Sequence, residues 1–428
     1  MLESITESPG AVKGFQAPAD RRLAIGVGVF PSDAKLSTII AFGFAPATAP
    51  IGETTPSGRG RPPLQGTHMD ARIKVLIDPL YVNPYPFHLI PKILGGRGVP
   101  LGPFSSRCLA PLGGSWVHRA FGPGRFDGMD LGFGFTDILD ADLNVREKVL
   151  EEYGSKGWPI YSFHATFGGG SPLFADTRME LTEDNERTRR GLRNQVLVAA
   201  RLKSHTPAVI VLHLGRTAGD PAKALERSLR MIDSVVPLAE ESGLILALEN
   251  MPRCPPGETY LGSDYRDLQR ALRTLRSPAV KVCLDWGHAN NYSRFFARDN
   301  RREPLEQYVR QFGYVREMID ELGKDIGYAH IHYNRSHILT GEAFFEEYDE
   351  HMALSRIPLE EREAFAGVIA RLVRATSVQE IGLLNLELIP KTFFGIYKAF
   401  PTGSTLKEQL ASVTLLRQMV AAGLQTGA

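Results

Sequence analysis

The chain has 428 residues, 43% of them hydrophobic, with 49 basic and 48 acidic side chains and a formal charge of +1. That is apolar material for one large core, and the balanced charge exerts no net pull on a polyanion such as nucleic acid. No run reaches 18 apolar residues, as a membrane span requires, and the start MLESITESPG lacks the basic and apolar blocks of a secretory signal, so a cytoplasmic protein is expected.

Two segments compete for the first strand. LAIGVGVF at 23–30 is short and broken by glycine, whereas RIKVLIDPLYV is a β-rich run stopped by Pro79. The stretch 72–78 is preferred, because HLIPKIL at 88–94 can open the helix that follows it. Residues 41–125 contain GETTPSGRGRPP, NPYP, GGRGVPLGP and APLGG, too rich in Pro and Gly for long helices. So long an irregular stretch, with Trp116, Phe121 and Phe126 to pack it, reads as a lid over an active site or as a surface meander.

Seven apolar segments follow, at 126–133, 159–165, 208–214, 244–249, 280–285, 326–332 and 382–388. Each is too short for a packed helix and dense in Leu, Ile and Val, as a strand buried on both faces must be. Helical signals lie between them. Residues 221–243 open on Pro221, stop at Gly243 and carry Pro237, which predicts a kink or break. Residues 264–276 begin at Asp264 as a cap, 303–322 place Leu305, Tyr308, Val309, Phe312, Val315, Ile319 and Leu322 at helical intervals, and 360–375 and 404–422 complete the set. Regular alternation of strand and helix predicts βα units on a parallel sheet. The fold expected is α/β, a TIM (β/α)8 barrel with a long irregular N-terminal insertion. Residues 1–125 would supply the insertion and the first strand, and 126–428 the main body.

Four of the strands end in residues that can hold a divalent metal: LILALEN in Glu249, KVCLDWGHANN in Asp285 and His288, IGYAHIHYNRS in His330 and His332, and LLNLELIP in Glu387. The intervals Glu249–Asp285, Asp285–His332 and His332–Glu387 are 36, 47 and 55 residues, each long enough for one βα unit. Upstream, PAVIVLHLG places His213 36 residues before Glu249, and PIYSFHATFGG places His164 another 49 before that. A polar side chain at the downstream end of a barrel strand leaves the core where barrel enzymes do their chemistry. Taken singly, Glu249 or Glu387 would read equally as a salt-bridge partner, Asp285 as a helix cap, and His164 or His213 as a hydrogen-bonded histidine in a polar cavity. Among the cysteines, Cys108, Cys254 and Cys283 form no CxxC pair, and Cys283 reads as a small buried hydrophobe. RTRRGLR at 187–193, next to acidic ELTEDNE, reads as a solvated helix face.

LALEN, VCLDWGHANN, HIHYN and the last-strand Glu387 resemble the xylose isomerase-like barrels. That group comprises sugar isomerases and epimerases and also contains the endonuclease IV type of apurinic-site nuclease. The likeness runs from about 126 to 400 and is slight over the first 120 residues. In the isomerase branch it implies one metal ion held by Glu249, Asp285, His332 and Glu387. Such a set suits Mn²⁺ best, with Mg²⁺, Co²⁺ and Zn²⁺ as alternatives. His330 and His332 share one strand face; His332 is the expected ligand and His330 its support one layer deeper, the swapped order being the alternative. The nuclease branch carries further zinc ions on histidines that correspond to His164 and His213, so a second ion or a polar substrate is implied there.

The chain departs from the family where Leu-Asn-Asp is usual after the seventh-strand histidine. It reads His332-Tyr333-Asn334-Arg335-Ser336-His337, with no aspartate two residues before His337. An arginine in that place suits a substrate carboxylate or phosphate. Arg335 and Lys391 are expected at the barrel rim, with Trp286 and Tyr333 either walling the pocket or packed against helices. The resemblance implies an isomerase or epimerase in which Glu249 and Glu387 move a proton beside a carbonyl of a sugar-like or polyol-derived small molecule. A lyase or dehydratase using the same proton abstraction, an endonuclease IV-like phosphodiesterase, and a non-catalytic ligand-binding or partner subunit are the alternatives. Nucleic acid and membrane are not expected as partners, and homo-oligomerisation is left open.

Overall fold

The structure, a computed structural model, describes residues 73–77, 121, 124–136, 138–167, 177–252, 258–300, 304–336, 350–388 and 403–425. The competing strand at 23–30, most of the expected lid, Cys108, Cys254, His337 and Lys391 lie outside these residues.

Eight parallel strands close into a barrel. In order around it they are β1 (Lys74–Ile77), β2 (Gly128–Gly132), β3 (Ile160–His164), β4 (Ala208–His213), β6 (Leu244–Glu249), β8 (Val280–Asp285), β9 (Ile326–His330) and β10 (Leu383–Asn385), which pairs back onto β1. The preferred first strand is therefore the one that closes the ring. Two short strands, β5 (Arg216–Thr217) and β7 (Thr259–Tyr260), form an antiparallel ribbon joining the loops that follow β4 and β6.

Alternation along the strands separates two cores. Ile210, Leu212, Leu246, Leu248, Val282 and Leu284 belong to the large cluster shared with the helices. The intervening Val209, Val211, Ala247, Cys283 and Tyr328 form a smaller cluster with Leu76 and Leu383. Because side chains alternate with a period of two, this second set fills the barrel interior. Two residues further along the same face come His213, Glu249, Asp285 and His330, each the last residue of its strand. The apolar floor thus carries a polar layer at the C-terminal mouth.

The outer helices follow the sequence signals closely. Asp220 caps Pro221–Asp233 by accepting the Ala222 and Lys223 amides, and Asp264 caps Tyr265–Leu275 by accepting the Arg266 amide at 3.0 Å. The chain breaks before Pro237, and a separate helix covers Val236–Glu241. The single helix expected over 303–322 is instead two, Leu305–Arg310 and Gly313–Leu322. Phe312 between them has φ +54°, and its ring packs 5.3 Å from Trp286 and 5.4 Å from Phe365. The bend is possible because residue 313 is glycine: a Cβ there would stand 2.2 Å from the Tyr308 ring. A buried aromatic anchor has overridden helical periodicity.

Candidate metal centre

Glu249 is the hub of the mouth. Its Oε1 is 3.0 Å from His330 Nδ1, and its Oε2 lies 2.7 Å from His213 Nε2 and 3.3 Å from His164 Nε2. Only 1% of Glu249 is exposed, and burial alone would raise its pKa, but the imidazoles of His330 and His213 hold it well below the usual carboxylate range. His164 and His213 meet edge to face at 4.9 Å. Burial works against a charge on both rings. At His164 the Glu249 carboxylate outweighs it and pushes the ring up to about 9; at His213 burial prevails and the value falls.

On the other side, His330 Nδ1 is 3.0 Å from Glu387 Oε2 and 3.8 Å from Asp285 Oδ2. Donor atoms of Glu249, Asp285, His330 and Glu387 all lie within 4.8 Å of one another. Burial would raise Glu387 as well, but His330 and His351 draw it well below its ordinary value. Three carboxylates and one imidazole in a buried box fit a divalent ion, whose charge offsets their mutual repulsion. Donors opposite each other across an octahedral ion stand about 4.2 Å apart, a span on the scale of this box.

Both histidines of HIH lie against carboxylates of the expected set, and they divide it between them. His330 joins the three carboxylates, because β9 ends there; His332 lies beyond the strand. The His332 Nε2 is 3.1 Å from Asp285 Oδ1, and its ring stacks on His351 at 4.0 Å. His332, His351 and Glu387 form a further group of potential ligands, as do His164, His213 and Glu249. His351 escaped sequence reasoning because it belongs to no strand. Its Asp-x-His setting, Asp349-Glu350-His351, is the signal that could have found it.

The motif residues between the ligands are structural. Asn250 Oδ1 accepts the Asp285 amide at 2.7 Å while its Nδ2 donates to the Asp285 carbonyl at 3.0 Å, clamping the ends of β6 and β8. Asp285 does cap the following helix, Trp286–Asn300, accepting the His288 amide at 2.6 Å, yet its carboxylate also faces His332. His288 Nδ1 donates to the Asn250 carbonyl at 2.9 Å. Gly287 makes room for His332, since a Cβ there would stand 1.9 Å from His332 Cε1.

Three expected pocket residues have other partners. Trp286 is fully buried and packs 4.3 Å from Phe365, as its place at the start of a helix dictates. The Tyr333 hydroxyl donates to Glu361 at 2.8 Å, on the helix Leu359–Ala375. Arg335 turns its guanidinium to the buried Glu350, with Nε 2.7 Å from Oε1 and a second bond from Nη2.

Among the described residues, no helix is long and apolar enough to cross a membrane. No curated protein matches the chain in sequence. Among solved structures, a D-tagatose 3-epimerase-like protein is 19% identical, covering 71% of this chain and 92% of its own with a TM-score of 0.46. D-allulose 3-epimerase from Methylomonas sp. is 11% identical, covering 84% and 99% with a TM-score of 0.46. The probable 3-DHS dehydratase from Bacillus anthracis is 16% identical, covering 68% and 89% with a TM-score of 0.40. The family model described as xylose isomerase-like TIM barrel matches residues 120–365, which takes in β2 to β9 and stops short of Glu387. With more than half of its length matched, the chain belongs to the xylose isomerase-like TIM barrel family.

Proposed function

We propose that this chain is a divalent-metal-dependent isomerase or epimerase acting beside the carbonyl of a sugar-like or polyol-derived substrate. The observation that carries the reading is the convergence of Glu249, Asp285 and Glu387 on His330 at the barrel mouth. A divalent ion bound there, Mn²⁺ for preference, would polarise the carbonyl and acidify the neighbouring C–H. Glu387, the most exposed of the three carboxylates, is the one assigned to take that proton. Glu249 approaches from β6, three strands away around the ring, and can return a proton to the other face. His164 Nε2, against Glu249 Oε2, is placed to hold a proton for it. Because Arg335 already engages Glu350, a neutral polyol suits the described residues better than an acidic substrate. If a leaving group lies one carbon further on, the same proton abstraction makes the enzyme a lyase.

Metal analysis of protein purified without chelator should find about one ion per chain, lost in Glu249→Gln and Asp285→Asn. Candidate ketoses in deuterated water should then exchange hydrogen at the activated carbon only when Mn²⁺ is supplied. Metal retained in both variants, or none taken up by the wild type, would overturn the reading.

A second reading rests on the shared carboxylates. Glu249 also belongs to the group with His164 and His213, and Glu387 to that with His332 and His351. Ions held by both groups would supply the chemistry of metal-assisted phosphodiester hydrolysis. Two or three ions per chain, together with nicking of abasic DNA, would favour this reading over the first.

A further inference from the structure

His330 has a different neighbour at each of its nitrogens. Nδ1 faces Glu249 at 3.0 Å, Glu387 at 3.0 Å and Asp285 at 3.8 Å. Nε2 points the other way, toward β2, where Asp130 Oδ2 stands 3.8 Å off. Both residues are buried, at 0% and 2% exposure. Asn385 Nδ2 donates to the same Asp130 oxygen at 3.0 Å, fixing the carboxylate from β10. His330 Nε2 and Asp130 Oδ1 have no hydrogen-bond partner.

To bind a metal ion the imidazole must be neutral, and it then carries one proton. If it resides on Nδ1, that nitrogen is a donor to Glu249 and cannot bind a metal ion. If it resides on Nε2, the Nδ1 lone pair points into the three carboxylates. A buried N–H needs an acceptor, and the carboxylate facing Nε2 is that of Asp130, which at 3.8 Å must close by under an ångström to take it. We infer that Asp130 is a positioning residue: by taking the His330 Nε2–H it fixes the tautomer that turns Nδ1 into a metal ligand. The inference rests on the proposed metal-dependent function, and it assigns Asp130 a role that none of the strand-end motifs contains. It also gives a reason for Asn385, whose amide holds Asp130 in line.

The test is carried out on the full chain with Zn²⁺ alone, measured by competition with a chromophoric chelator. Asp130→Asn, which keeps the shape but lacks a charged acceptor, should bind Zn²⁺ about 10–100-fold more weakly, with the melting temperature of the metal-free protein little changed. Nitrogen-15 imidazole NMR of the wild type supplies a readout that loss of packing would not imitate: in the zinc-loaded protein the His330 proton should reside on Nε2, with Nδ1 showing the shift of a coordinated nitrogen. If the wild type binds zinc and Asp130→Asn binds it equally well, or if the loaded His330 carries its proton on Nδ1, Asp130 does not have this role and the metal centre stands without it. If the wild type takes up no zinc, the metal-dependent function falls and the inference with it. Should Asp130→Asn fail to fold, the wild-type NMR measurement decides alone.

Discussion

At the scale of single residues, Gly287 joins helix and site. An alanine inside a helix is ordinarily about 1 kcal/mol better than glycine, and residue 287 is the second residue of Trp286–Asn300. Here the added Cβ would collide with His332 at 1.9 Å, and that ring is itself held against His351 and Asp285. Gly287→Ala is therefore expected to destabilise the protein by about 1–3 kcal/mol, the cost typical of overpacking. Urea unfolding at neutral pH checks this, and a stabilised variant would show that His332 is free to move aside. Residue identity made the carboxylates easy to find: Glu249 and Asp285 end apolar strands, where only a function or a pair accounts for the charge. How His330 and His332 divide the carboxylates between them was not legible. Both lie on one face, and the choice depends on where β9 stops, a matter of one residue pair that periodicity does not register.

At the scale of elements, Asn250 shows how a motif letter next to a ligand maintains the site. Its amide makes two bonds to the backbone of Asp285, so the ends of β6 and β8 are locked in one register where Glu249 and Asp285 must meet. Asn250→Ala leaves an amide and a carbonyl unpaired in a buried place. It should cost about 1–3 kcal/mol, visible as a lower denaturant midpoint with an unchanged slope. A loss below about 0.5 kcal/mol would mean that other groups satisfy that backbone. The strands were legible because both faces are apolar, and the helices because Pro221 and Asp264 mark their starts. The break at Phe312 was not, since it arises from a fit between three aromatic rings far apart in sequence.

At the scale of the whole molecule, stability should depend on pH through carboxylates that carry no chemistry. Burial raises Glu180 above its ordinary value, against the Arg216 amide that bonds it. A carboxyl with a raised folded value contributes its stability below its unfolded value and loses it as pH rises through the folded one. Glu180→Gln keeps an acceptor for the Arg216 amide without the charge, so at pH 7 its melting temperature should exceed wild type by about 1–3 °C. That gain should vanish near pH 4 in scanning calorimetry; an equal difference at both values would rule out the charge as the cause.

The closed ring brings His164, His213, Glu249, Asp285, His330 and Glu387 to one end of the barrel. Its consequence lies in the two carboxylates that belong to more than one ligand group. Glu249 faces His330 with one oxygen and the pair His164 and His213 with the other. A cation held on one side would withdraw electron density from Glu249 and fix its rotamer for the other, which would link the two sides thermodynamically. Whatever factor the first ligand imposes on the affinity of the second, the second imposes on the first. On the reading with more than one ion, the mouth of this barrel would take up metal as one linked unit rather than as independent sites.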